Sequence, residues 1–138
     1  MKSFPPADSA TRVLLVDADS EPREILRETL AAEGFEVLTA SNRHQAAAHV
    51  LEDGIDVVLM NMLMPRAEGI GTIIAVRAIR PELKIIAMSG SAGDGADHFM
   101  PLAKSLGATA LVSDPSDRGA LVDAVRAVLA PGMERLAC

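Results

Sequence analysis

Four consecutive apolar residues, Val57-Val58-Leu59-Met60, run directly into an amide, Asn61, and no other feature constrains the chain as strongly. They lie in the stretch Asp56–Gly69, DVVLMNMLMPRAEG. The run is too short for an isolated helix. With Gly54 before it and Pro65 after it, it reads as a strand buried on both faces. In an open parallel sheet, ligand chemistry gathers in the crevice beyond the carboxyl ends of the strands. A polar side chain at that point is therefore placed for function. Met64-Pro65 turns the chain, and Glu68-Gly69 lead into the next helix.

The flanking sequence repeats the pattern. Arg12–Asp17, RVLLVD, is a second apolar run that ends in an acid. Asp19 or Ser20 can cap the helix after it, Pro22 is tolerable in a first turn, and Gly34 stops it. Ile25, Leu26 and Leu30 mark that helix's apolar face. Phe35–Ala40 alternates as a strand does. Asn42 with Gln45 resembles a capping box for a helix through Leu51. After the central strand, Ile70–Ile79 reads as a helix closed by Pro81, and Lys84–Met88 as a fourth buried strand ending at Ser89-Gly90. A glycine-rich loop, 91–95, precedes a short helix over His98–Leu106 in which Pro101 fits only the first turn. Gly107 ends that helix. Ala110–Ser113 is a weak fifth strand, ending at Asp114-Pro115. Ser116 or Asp117 caps a last helix, on which Leu121, Val122, Val125, Val128 and Leu129 keep a 3.6-residue period. Pro131-Gly132 ends it.

Strands alternating with helices imply an α/β fold: a doubly wound five-stranded parallel sheet with right-handed crossovers. In the order 2-1-3-4-5 the switch point lies between strands one and three. Asp17 and Asn61 would flank it, with Ser89 and Asp114 alongside. The 138 residues suffice for one domain, expected over 12–130, with a flexible N-terminal tail, 1–11, and a C-terminal tail, 131–138.

Composition narrows the function. A net charge of −6 disfavours non-specific nucleic-acid binding, and the absence of Trp and Tyr leaves few surfaces on which bases could stack. No run approaches the roughly 18–20 apolar residues of a membrane span, and no signal-peptide core is evident, so a cytoplasmic location is the default expectation. The single cysteine, Cys138, excludes a disulfide framework. His44, His49 and His98 lack metal-ligand spacing, the Gly93/Gly95 loop matches no phosphate-binding motif, and the methionines read as core filler.

The ordered set VLLVD, MPRAEG, IIAMSG, AKSLGA and Pro115 resembles the receiver domain of two-component response regulators. It is most similar to the short, single-domain members, and the resemblance covers about Arg12–Leu129. It implies the flavodoxin-like (CheY-like) version of the sheet and a non-enzymatic role in phosphorelay signal transduction. In that family strand one ends in an acidic pair that holds Mg²⁺, and strand three in the aspartate that accepts a phosphoryl group from a histidine kinase. Strand four ends in Ser or Thr and strand five in Lys-Pro.

Carried over by position, Asp17 is the first acid and Ala18 stands at the second, with Asp19 a further acid one place on. Asn61 replaces the phosphoacceptor and Ser89 matches the Ser/Thr switch. Leu111 stands where an aromatic switch is common, and Asp114 replaces the lysine.

These departures change the chemistry. An amide nitrogen is a poor nucleophile, so Asn61 cannot form an acyl phosphate, although its oxygen can accept hydrogen bonds. Ala18 removes an oxygen ligand that a hard cation needs. Asp114 would repel a phosphoryl group, at a cost of about 4 kcal/mol for like charges 4 Å apart at an effective dielectric near 20.

The expectation is a pseudo-receiver that binds a protein partner, a histidine kinase or a downstream signalling protein, without phosphorylation. It needs no cofactor and holds Mg²⁺ at most weakly, through Asp17 and the Met62 carbonyl, with Asp19 or Asp114 as further candidates. The alternatives are phosphotransfer through a non-standard acceptor, or a cation or small-molecule sensor based on an Asp17–Asp114 carboxylate pair. The structural counter-readings are that Asn61 is a turn residue, Asp19 a helix cap, Ser89 a loop cap, Leu111 a core residue, and Asp114 a partner of Arg66. The expected docking face is helix four, strand five and helix five, with Phe99 or Leu102.

Overall fold

The apolar runs become strands because the helices that alternate with them in sequence cover the sheet on both faces. The structure, a computed structural model, describes residues 11–62, 68–88, 100–112 and 117–130. In chain order the elements are β1 (Arg12–Val16), α1 (Ser20–Ala32), β2 (Glu36–Ala40), α2 (Arg43–Glu52), β3 (Val57–Asn61), α3 (Glu68–Ile79), β4 (Lys84–Met88), α4 (Met100–Ser105), β5 (Ala110–Val112) and α5 (Arg118–Leu129). The strands form one sheet, parallel as the alternation implied and ordered β2-β1-β3-β4-β5.

Successive strand residues point to opposite faces, and the core splits accordingly. Val58 and Met60 of β3 join Leu14 and Val16 of β1, and Ala46, Val50, Ile73, Val76 and Ala103 of α2, α3 and α4. Val57 and Leu59 join Val13 and Leu15, and Leu26, Leu30, Leu121 and Val125 of α1 and α5. The central strands are therefore apolar at four of their five positions, Arg12, Asn61 and Lys84 lying at strand ends, because both faces are interior.

Caps set the helix starts. Asp19, not Ser20, is the N-cap of α1. Asp117 caps α5 through the Ala120 N–H at 3.0 Å. Asn42 Oδ1 accepts the Gln45 N–H at 2.9 Å, but Gln45 Oε1 reaches back to the Ser41 N–H at 2.7 Å, one residue earlier than the reciprocal bond of a capping box. Gly34 and Gly107, which follow α1 and α4, hold positive φ values of 97° and 106°, where an L side chain would be strained.

Several boundaries differ from the sequence expectation. α3 starts at Glu68 rather than Ile70, with the Thr72 hydroxyl donating to the Glu68 carbonyl at 2.8 Å within its first turns. β1 stops at Val16, with Asp17 one residue past it, and β2 starts at Glu36 rather than Phe35. α2 runs one residue further, to Glu52. α4 ends at Ser105, and Pro101 occupies its first turn, where its missing N–H costs no helical bond. The two tails, the 91–95 loop, His98, Phe99, Ser113 and Ser116 lie outside the described residues.

Candidate functional site

β1 and β3 lie side by side, with Val16 paired to Met60, so the residues after them meet at the carboxyl edge of the sheet. Asp17 is anchored there by its backbone N–H, which donates to the Ala40 carbonyl at 3.0 Å. Its side chain is only 3% exposed. One carboxylate oxygen accepts the Asp19 N–H at 3.0 Å. The Asn61 side-chain amide donates to the same carboxylate. The Arg23 guanidinium, from the first turns of α1, donates to the Asp17 backbone carbonyl at 2.7 Å.

These surroundings act on Asp17 in opposite directions. Burial dominates and raises its pKa above the ordinary carboxylate value, because the charged form loses hydration. The Asp19 N–H and the Asn61 amide bond the ionised form and pull partly the other way. The Asp19 charge raises the pKa slightly further, and the Arg23 charge lowers it.

The neighbouring positions are turned to other tasks. Asp19 spends a carboxylate oxygen on the Glu21 N–H at 3.4 Å as a helix cap. Ala18 is exposed and offers no side-chain oxygen. Met62 is fully buried in the α2–α3–α4 layer, and its N–H donates to the Met88 carbonyl at 2.8 Å, tying the end of β3 to β4. Leu111 is 42% exposed, which overturns its reading as a core residue: it pairs with Ala87 on the α2–α3–α4 side of the sheet, but on a three-residue edge strand it is left largely uncovered. Ser89, Asp114 and Arg66 lie outside the described residues.

Two contributors escaped the sequence reading. Gly69 packs against the end of β3: a Cβ there would stand 3.0 Å from the Asn61 carbonyl oxygen and from the Met62 Cα. Its signal is a glycine in the first turn of a helix, where Ala is intrinsically better. Arg23 is the second, and its signal is a cation near a helix N-terminus, where the helix dipole disfavours positive charge.

Mg²⁺ demands near-octahedral oxygen ligation. The described residues do not offer that set: one carboxylate at this edge already accepts two donors, a second caps a helix, and Ala18 interrupts the pair. Among the described residues, no group of three or more His, Cys, Asp or Glu side chains could hold a metal ion.

The sequence matches the response regulator receiver domain over residues 13–126. The transcriptional regulatory protein CpxR of Escherichia coli (strain K12) is 36% identical over 118 residues, which are 86% of this chain and 49% of CpxR. The chain thus spans about half the length of that relative. The backbone superposes on a receiver domain protein from Methanospirillum hungatei JF-1 with a TM-score of 0.76 and 24% identity, over 91% of this chain and 98% of the other. It superposes on TrrA of Thermotoga maritima, solved in complex with Mg²⁺–BeF, with a TM-score of 0.72 and 26% identity, over 84% of this chain and 96% of TrrA. No helix among the described residues is long and apolar enough to cross a membrane.

Proposed function

We propose, because this chain belongs to the response regulator receiver family of two-component signalling, that it works as a pseudo-receiver: a module that docks a partner protein without being phosphorylated. One observation carries the reading. At the end of β3 the side chain is an amide, and it donates a hydrogen bond into the Asp17 carboxylate. A phosphoacceptor must be a free, ionised nucleophile, and an amide so engaged is neither. The bond also draws on a carboxylate that a metal ion would need, so this reading requires no Mg²⁺.

The partner in this reading is a histidine kinase or a downstream signalling protein in the cytoplasm. The proposed docking face is α4, β5 and α5, where Leu102 and Leu111 are 45% and 42% exposed. A fixed docking state needs no phosphoryl-driven shift between conformers, because a ligand moves an equilibrium only by its differential affinity.

Incubation with acetyl phosphate followed by intact-mass measurement tests the reading. The wild-type mass should stay unchanged, while the triple variant Ala18→Asp, Asn61→Asp, Asp114→Lys should gain one phosphoryl group. A phosphoryl gain in the wild type would overturn the proposal in favour of a non-standard acceptor.

A further inference from the structure

Among the described residues, five large apolar side chains are left exposed. Leu102 and Leu111 belong to the docking face above, and Ile25 lies on α1. The other two, Leu51 at 68% and Ile74 at 55%, lie on neighbouring helices, α2 and α3. These helices run side by side with their starts level. Arg43 pairs with Glu68 at 3.9 Å, and it lies so close over Gly71 that a Cβ there would stand 2.9 Å from a guanidinium nitrogen. The opposite flank of α2 is marked by His49, whose ring meets the Thr39 carbonyl of β2 at 3.1 Å. Leu51 follows Arg43 by two steps of four residues, so it stands on the flank toward α3.

A helix open to water normally turns charged residues outward. α3, EGIGTIIAVRAI, does not. Its three polar side chains are engaged elsewhere: Thr72 is buried, Glu68 accepts the Arg43 N–H at the start, and Arg77 donates to the carbonyls of Pro81, Leu83 and Gly107 beyond the end. Between them Ile74 and Ala78 are exposed, and Gly71 is half-buried. On α2 the exposed Ala48 continues the same apolar surface toward Leu51. Small side chains leave both helix backbones open to close approach, with Leu51 and Ile74 standing up from them.

Charge selects the occupant. α2 begins with a cation, Arg43, and ends with an acid, Glu52, both exposed, and Ala48 lies midway between them. A two-fold axis requires a surface that is its own complement, and basic, apolar, acidic along one helix is such a surface. A second α2 laid across antiparallel sets Arg43 of each copy against Glu52 of the other, whereas a parallel one sets like against like. Arg43 remains 50% exposed beside Glu68, so its outer side can take a second carboxylate. We propose that the α2–α3 face is a homodimer interface, in which two copies of this chain pack antiparallel through Leu51 and Ile74 about a two-fold axis near Ala48. Helices of 10 and 12 residues offer a face about 15–18 Å long. That is a small contact, so the dimer is weak and depends on concentration. The proposal does not rest on the pseudo-receiver reading, whose docking face is α4, β5 and α5.

Sedimentation of the whole chain between about 5 and 500 μM tests the interface and should show a reversible monomer–dimer equilibrium. Leu51→Glu and Ile74→Glu alter exposed side chains, so the fold is retained, and each should raise the dissociation constant at least about 10-fold. Glu52→Arg should raise it about 3-fold, an effect that fades at high salt. Leu102→Glu should leave it unchanged. A chain that stays monomeric throughout would overturn the proposal. A dimer that survives both glutamate variants, or that is lost with Leu102→Glu, would overturn the choice of face. An unchanged constant for Glu52→Arg would overturn the antiparallel arrangement. Oxidative cross-linking reads proximity even if a substitution lowers stability. In a Cys138→Ser background, Ala48→Cys should form a disulfide-linked dimer and Ala127→Cys, on the exposed side of α5, should not. Equal cross-linking at the two positions would also refute the interface.

Discussion

At the scale of residues, Asp17 and Asn61 form a unit in which the amide partly compensates the burial of the acid. Asn61→Leu removes that donor and leaves a buried carboxylate short of a partner. It should cost about 1–3 kcal/mol in urea denaturation and push the Asp17 pKa higher still. Asn61→Asp sets a second carboxylate against the first. It should cost roughly 2–4 kcal/mol at neutral pH, by like-charge repulsion at an intermediate dielectric, and recover as the pH is lowered and the pair takes up a proton. The sign for Asp17 itself follows from its raised pKa. Between the unfolded value and the higher folded one, the native state binds more protons, so this group's contribution falls as pH rises through that window. Asp17→Asn should therefore leave neutral-pH stability equal or higher, by up to about 1 kcal/mol, and flatten the acid limb of a stability–pH profile. The acid and the amide were legible as neighbours in the sequence, because each ends an apolar run. Their hydrogen bond was not, since it depends on the register that pairs Val16 with Met60.

At the scale of elements, the start of α3 is held against the end of β3 by a close backbone approach at Gly69. Gly69→Ala brings a methyl group to 3.0 Å from backbone atoms that have no rotamer to change. The cost should be about 1–3 kcal/mol despite the better helix propensity of alanine, with the Asn61 amide resonance displaced. A substitution that stabilised the protein would show that the strand end yields. On α4, Leu102→Glu should leave stability within about 0.5 kcal/mol, because the side chain is already exposed, while weakening partner capture. Unchanged affinity would place the interface elsewhere. The caps show what local sequence can resolve. Asp19 and Asp117 stood beside equally suitable serines in the sequence, and selection between them rests on where the backbone leaves the strand, not on side-chain chemistry.

At the scale of the whole molecule, β1, β3 and β4 belong to two core layers at once, so neither layer can melt alone. Met60→Ala on one face and Leu59→Ala on the other should each cost about 2–5 kcal/mol. Circular dichroism and hydrogen exchange at helices of both layers should then report one shared transition. Separate midpoints for the α2–α3 and α1–α5 layers would contradict this coupling. While the strand order and the switch point came from its resemblance to receiver domains, the sequence alone determined the strand and helix alternation, because buried parallel strands need uninterrupted apolar runs and helices need caps and periodic faces. Those are short-range requirements, written into consecutive residues. Only the tertiary structure decided that Asn61 bonds Asp17, that Asp19 serves its helix, and that Leu111 is left exposed. The Asn61–Asp17 bond joins residues that only the packed sheet brings together, the Asp19 cap depends on how the chain leaves β1, and the exposure of Leu111 depends on β5 lying at the edge of the sheet; no local pattern encodes these placements.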